Sequence, residues 1–190
     1  MADARIGFAV TGSFCTFKAV FPQMKALKEK GYDVLPIFSQ NAYETDTRFG
    51  SARDWIAQAE DVTGHSVIHT IAQAEPIGPR KLLDLLIFAP CTGNTLGKLA
   101  ASIYDTAPTL AFKSHRRNDG PVLIAVSTND ALSNSAASIG ALMAKRGVFF
   151  VPFEQDDYHG KPTSCVADFE KILPAAQAAL QGRQLQPVIF

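Results

Sequence analysis

The residues best suited to chemistry in this chain are small and polar, and they sit directly after apolar runs. Leu85-Leu86-Ile87-Phe88 leads into Ala89-Pro90-Cys91-Thr92-Gly93-Asn94-Thr95, and the same change recurs at Thr11-Gly12-Ser13, Ser39-Gln40-Asn41 and Ser127-Thr128-Asn129. Hydroxyl and amide side chains beside the free N–H groups of a starting helix suit a phosphate or another polar cofactor group. Gly93 would let backbone approach a ligand closely. Any one such turn is equally well explained by helix capping, which favours the same residue types. Four of them on one edge point to a shared cleft, because ligands of open parallel sheets bind beyond the carboxyl ends of the strands.

Two common phosphate sites are excluded. The first turn offers Gly7 and Gly12 without a G-x-G-x-x-G spacing, and no Gly-Lys-Ser/Thr follows it. N–H groups and hydroxyls around Gly12 and Ser13, helped by a helix dipole, fit a mononucleotide better than a dinucleotide. Cys91 has no base predicted beside it and reads as a small buried hydrophobe rather than a nucleophile. Lys98 falls in the first turns of a helix, where it can reach an anion, but reads as solvated. His65, His115 and His159 stand in polar contexts and read as surface residues. Arg116-Arg117 reads as a solvated turn, the alternative being contact with a dicarboxylate or a partner subunit.

The elements that must position these residues alternate between strand and helix, which predicts an α/β fold. The expected fold is a single-domain, Rossmann-like open parallel sheet with helices on both faces, a flavodoxin-like three-layer arrangement over residues 1–190. A C-terminal helix and short tail follow from about 165. The strands are Ile6–Val10, Val34–Phe38, Leu85–Ala89, Val122–Val126 and Val148–Val151. Pro36 places the second at an edge, and Pro90, lacking an N–H, should end the third. Val67–Ile71 reads as a short strand or an extended loop. Helical spacing joins Phe17, Phe21, Met24 and Leu27, with a stop at Gly31. It also covers Ser51 to Val62, the set Leu132, Ala136, Ile139 and Met143, and the set Val166, Phe169 and Leu173. Asn41–Arg48, Glu75–Pro79 and Glu154–Pro162 are polar excursions.

Composition narrows the function classes. The 190 residues carry 18 Lys plus Arg against 18 Asp plus Glu, so nothing in the charge points to nucleic acid or an anionic membrane. No apolar run approaches the roughly 20 residues of a membrane span. The N-terminus reads as entering a strand without a signal peptide. Three widely spaced cysteines form neither a disulfide framework nor a zinc pattern, which implies a reduced, cytoplasmic setting.

Taken together, the strand-end segments resemble the flavin-containing cysteine decarboxylase superfamily. Its central Pro-Ala-Ser-Ala-Asn-Thr motif is matched by Pro90-Cys91-Thr92-Gly93-Asn94-Thr95 and its Thr-Gly-Ser loop by Thr11-Gly12-Ser13. A later Ala-Met-Asn motif aligns with Ser127-Thr128-Asn129. The resemblance implies an FMN site. Gly12, Ser13 and Ser39, with Phe14 beside them, would hold the phosphate and ribityl chain. Thr92, Gly93, Asn94 and Thr95 would face the flavin, and Ser127, Thr128 and Asn129 would close the pocket. It also implies a homo-oligomer, trimeric or dodecameric, with the flavin near the boundary between protomers. His69 lies where the decarboxylases carry a catalytic histidine, and an imidazole suits proton transfer near neutral pH. The alternative is an imidazole that merely bonds a backbone carbonyl. Asn94 would bond a flavin edge or a substrate carboxylate, against the alternative of a turn residue.

The variants Thr92-Gly93-Asn94-Thr95 and Ser127-Thr128-Asn129-Asp130, with Val67–Ile71, Ala74–Pro79 and Phe150–Phe153, resemble one branch more specifically. That branch oxidises a dihydro precursor to aromatic pyridine-2,6-dicarboxylate during sporulation. The resemblance then implies a small dicarboxylate substrate, a partnering A subunit that carries any nicotinamide (NADP) site, and the mother-cell cytoplasm. Two other readings stay open. One is a flavin-dependent decarboxylase of a cysteine-like carboxylate, against which the departures at Cys91, Thr92, Gly93, Ser127 and Thr128 count. The other is a non-catalytic nucleotide-binding or scaffolding subunit.

Overall fold

Five apolar runs become five parallel strands. In the computed structural model, which describes residues 4–190, the elements in chain order are β1 (Arg5–Val10), α1 (Phe17–Glu29), β2 (Asp33–Phe38), α2 (Gln40–Glu44), α3 (Ala52–Thr63), α4 (Ile71–Ala74) and β3 (Leu85–Cys91). There follow α5 (Gly93–Ala100), α6 (Ala107–Arg116), β4 (Val122–Thr128), α7 (Ala136–Met143), β5 (Val148–Phe150), β6 (Phe153–Glu154), β7 (Cys165–Ala167) and α8 (Ile172–Leu180). The parallel strands lie in the order β2-β1-β3-β4-β5. This is the flavodoxin-like winding, with its switch point beside β1. Every residue of β3 is buried, as covering both faces of a parallel sheet requires. On one side Phe17 and Phe21 of α1 pack on Trp55 of α3, with ring centroids 5.4 and 4.8 Å apart.

Several sequence expectations are corrected. β3 does not stop at Pro90. It continues to Cys91 because the register with β4 shifts between Phe88 and Cys91, the kind of irregularity in which a residue without an N–H is tolerated. Of the two readings of Val67–Ile71, the extended loop holds and the strand does not. Ile68 makes a single bridge to Ile37, and α4 begins at Ile71. The sheet does not end at Val151. β4 outruns β5, and its last residues, Ser127 and Thr128, pair antiparallel with Val166 and Cys165 of β7, which carries β6 on its other edge. Strands of two and three residues are too short to leave a period in the sequence. Val166 therefore belongs to β7, and α8 begins only at Ile172. Leu132 precedes α7 and is 52% exposed; Ile139 and Leu142 are the buried residues of that helix, and Met143 is exposed. The Asn41–Arg48 excursion overlaps α2. His115 is buried rather than superficial: its Nε2 lies 2.9 Å from the Pro121 carbonyl, a bond that satisfies the ring inside the α6–β4 turn.

Candidate functional site

The strand ends at the switch point are tied together by hydroxyls. Thr11, buried at the end of β1, donates from Oγ1 to the Pro90 carbonyl at 2.8 Å and accepts the Thr92 amide at 3.1 Å. This bond fixes the start of α5 against β1. Thr92 then caps α5, its Oγ1 accepting the Thr95 amide at 3.3 Å. The amides of Gly93 and Asn94 ahead of that bond have no intrahelical acceptor. Ser13, just past β1, shares a 2.8 Å hydrogen bond with Ser127 at the end of β4. Ser39 caps α2 by accepting the Ala42 amide at 3.3 Å.

Past β4 the turn is organised by Asp130. Its Oδ1 accepts from Thr128 Oγ1 at 2.6 Å and from Ser135 Oγ at 2.8 Å. The hydrogen bond from Thr128 holds the carboxyl below its usual range, and Ser135 adds to this against the opposing effect of burial. Gly93 fits directly against these atoms. A Cβ there would stand 2.6 Å from Ser135 Oγ, 2.7 Å from Asp130 Oδ1 and 2.8 Å from Thr128 Oγ1. At its Cβ position, the close approach expected of Gly93 is thus made by the chain's own side chains.

Two adjoining clefts open on this edge, with Gly12 and Thr92 on the wall of both. The larger, about 480 Å³, is lined by Ser13, Phe14, Ser127, Thr128 and Asn129, and also by Cys15, Phe49, Asp156, Lys161 and Ser164. The smaller, about 310 Å³, is lined by Ser39, Gln40, Asn41, Asn94, Thr95 and Lys98. The structure therefore brings Gly12, Ser13, Phe14, Ser39, Thr92, Asn94, Thr95, Ser127, Thr128 and Asn129 to one edge, divided between two clefts, with Gly93 packed behind them. Lys98 is not solvated alone; its ammonium meets the Asp105 carboxylate at 2.8 and 2.9 Å.

His69 lines neither cleft. Its ring lies parallel on Tyr43, 3.7 Å away and inclined by 2°, while its amide donates to Gln73 Oε1 at 2.9 Å. Cys91 is fully buried, and burial pushes its thiol far above the usual range. It is inert packing, as its apolar surroundings predicted. Sequence reasoning quoted Asp130 in a motif without reading its role and missed Ser135, although an Asp two residues beyond a strand-end Thr is a recognisable side-chain turn signal. It also missed Phe49, Asp156, Lys161 and Ser164, which nothing local marks because they reach the cleft from distant segments. Among the described residues no helix is long and apolar enough to cross a membrane, and no group of three His, Cys, Asp or Glu is placed to hold a metal.

A flavodoxin-like sheet with hydroxyl-rich turns across its switch point defines a doubly wound α/β protein, and comparison makes this specific: the chain belongs to the Flavoprotein family, which it matches over residues 1–171. It is 43% identical to the B subunit of dipicolinate synthase from Bacillus subtilis (strain 168) over 185 residues, which is 97% of this chain and 92% of that protein. The crystal structure of the dipicolinate synthase B subunit from Bacillus halodurans C superposes with a TM-score of 0.91 at 39% identity, covering 98% of this chain and 96% of the other. The FMN-dependent cysteine decarboxylase SpaF shares the fold at a TM-score of 0.71 and 20% identity, over 95% and 98% of the two chains.

Proposed function

We propose that this chain is the flavin-binding B subunit of a dipicolinate synthase, acting with an A subunit to oxidise a dihydrodipicolinate precursor to pyridine-2,6-dicarboxylate during sporulation. The observation that carries the reading is the pair of adjoining clefts, joined at Gly12 and Thr92 and walled by hydroxyls from β1, β3 and β4. The residues fit FMN. Phe14 and Phe49 supply aromatic surface, Ser13, Ser39, Thr92, Ser127 and Thr128 supply hydroxyls, and Asn94 and Thr95 stand at the start of α5, where amides favour a phosphate or another anionic group. When bound, the flavin supplies a hydride-accepting centre.

Aromatisation removes one hydride and one proton from the dihydropyridine ring. Hydroxyls at the strand ends orient the substrate, and Asn94, exposed on the first turn of α5, offers an amide to a carboxylate or a ring edge. His69 is the proposed proton acceptor on the strength of its motif position. NADP, where it takes part, belongs to the A subunit, and the assembly is a homo-oligomer in this reading. A second reading, a subunit that binds a nucleotide without chemistry of its own, is favoured by one observation: the titratable residues lining the larger cleft are Cys15, Asp156, Lys161 and Cys165, and none is an imidazole.

The test is direct. The purified chain is titrated with FMN and its visible spectrum recorded, then dipicolinate formation is assayed with and without the A subunit. A bound, yellow flavin and activity that needs both subunits support the proposal. Absence of flavin binding refutes it and leaves the second reading. Activity that survives His69→Ala in the reconstituted mixture removes the role given to His69.

A further inference from the structure

The larger cleft carries two opposite charges, Asp156 and Lys161, on the segment between β6 and β7. This segment is built to present them. The Asp157 carbonyl accepts the Lys161 amide at 2.7 Å and its Oδ1 accepts the Gly160 amide at 2.8 Å. A Cβ on Gly160 would press on the Asp157 carboxylate and turn it away from this bond. Beyond it, Thr163 donates from Oγ1 to the Asn129 carbonyl at 2.7 Å and its own carbonyl accepts the Leu132 amide at 3.0 Å. Lys161 is thereby carried on chain that is pinned to the end of β4.

The two charges are held unequally. Lys161 Nζ lies 3.1 Å from Asp156 Oδ2, and the lysine side chain is 57% exposed. An ion pair so open to water is weak and readily exchanged. The Asp156 side chain is only 27% exposed, and although burial pushes its carboxyl up, the Ser164 hydroxyl and Lys161 nearby hold it below the usual range. The ammonium of Lys161 has Asp156 alone among the described residues. The lysine is therefore the member free to change partners. Beside it Phe14 and Phe49 line the same cleft, with the Arg48 guanidinium 4.8 Å over the Phe49 ring.

We propose that Lys161 is the carboxylate-recognising residue of this cleft: a small planar dicarboxylate displaces Asp156 from its ammonium, beside the aromatic surface that Phe14 and Phe49 give to the flavin. The inference rests on the dipicolinate reading above and assigns that substrate class a specific cation. A charge-assisted bond to a carboxylate is the strong kind of hydrogen bond and sets specificity for the acid over its uncharged analogue.

The test uses the full chain and two probes, pyridine-2,6-dicarboxylate and FMN, each titrated calorimetrically. Lys161→Gln should weaken the dicarboxylate about tenfold and leave FMN unchanged. Lys161→Arg should keep most of the dicarboxylate affinity. Asp156→Asn, which removes the competing carboxylate, should bind the dicarboxylate at least as tightly as the parent. Wild-type dicarboxylate affinity in Lys161→Gln overturns the proposal. So does a loss confined to FMN, which would assign the cation to the flavin phosphate, and so does a parent chain that binds no dicarboxylate with or without FMN. Dicarboxylate binding that depends on Lys161 in a chain that takes up no FMN upholds the subsite while the flavin reading falls.

Discussion

Gly93 and Gly97 occupy the same helix, and replacing each by alanine should move stability in opposite directions. At Gly97 an added Cβ meets nothing within 4 Å, so Gly97→Ala gains the helix propensity of alanine, about 0.5–1 kcal/mol. At Gly93 the Cβ would stand 2.6–2.8 Å from Ser135 Oγ, Asp130 Oδ1 and Thr128 Oγ1. These atoms are joined by two hydrogen bonds and cannot retreat independently. If they yield by small shifts the cost is that of overpacking, about 1–3 kcal/mol. If either bond to the carboxylate breaks, about 1.5–3 kcal/mol is added. A net loss of about 2–4 kcal/mol is expected, which lowers the urea midpoint by roughly 1–2 M at a slope near 2 kcal/mol/M. The pH dependence supplies a second check. Asp130 titrates below its ordinary value in the fold, so its bonds contribute fully above the unfolded carboxyl pKa, and that contribution is lost as pH falls through the folded one. The gap between the parent and Gly93→Ala should therefore narrow on the acid side. Urea unfolding of both variants from pH 7 downward decides the matter. A Gly93→Ala variant as stable as Gly97→Ala would show that the Asp130 turn is not packed on α5.

Other expectations come from the same geometry. His115 is held neutral by burial, with Arg116 also lowering its pKa and the Pro121 carbonyl only partly opposing; below the unfolded histidine pKa of about 6.5 the unfolded chain binds the extra proton, so stability falls as pH drops from there toward the lowered folded value. Denaturation midpoints between pH 7 and 5 should show this slope, and His115→Gln should flatten it. A thiol-labelling reagent should modify Cys15 in the native protein and reach Cys91 and Cys165 only after unfolding, since Cys15 is exposed and the others are buried. Mass spectrometry of labelled peptides reads this directly. Ser127→Ala removes the bond to Ser13 that joins β1 to β4 across the larger cleft, and should weaken FMN several-fold in a spectral titration with little change in the unfolding midpoint.

The parallel sheet is legible in the sequence because its strands are buried on both faces. Leu85–Phe88 and Val122–Val126 have no other stable place in a chain of this size, and the polar turns after them fall on one edge by topology alone. What stays hidden has physical causes of two kinds. β6 and β7 are held by pairing with the overhang of β4, not by any propensity of their own, so helical spacing claims Val166 for the wrong element. The charges of the larger cleft arrive from a loop whose place is fixed by Thr163 on Asn129, a contact across 34 residues that leaves no local mark.

His69 shows where a motif and a geometry part company. The family resemblance gives its position along the chain to a catalytic histidine, but position specifies a backbone site and not the direction of a ring. Gln73 accepts the amides of both His69 and Thr70 at the start of α4, which fixes the backbone there, and Tyr43 of α2 takes the imidazole face. An imidazole so stacked keeps its edge nitrogens free while its face is covered, so it can exchange a proton with a group brought to its rim without leaving Tyr43. Tyr43→Ala should then impair the proton step by letting the ring reorient, whereas Tyr43→Phe, which preserves the stack, should not. Equal activity of both variants in the reconstituted assay would remove the stack from the chemistry and leave it as packing between α2 and α4.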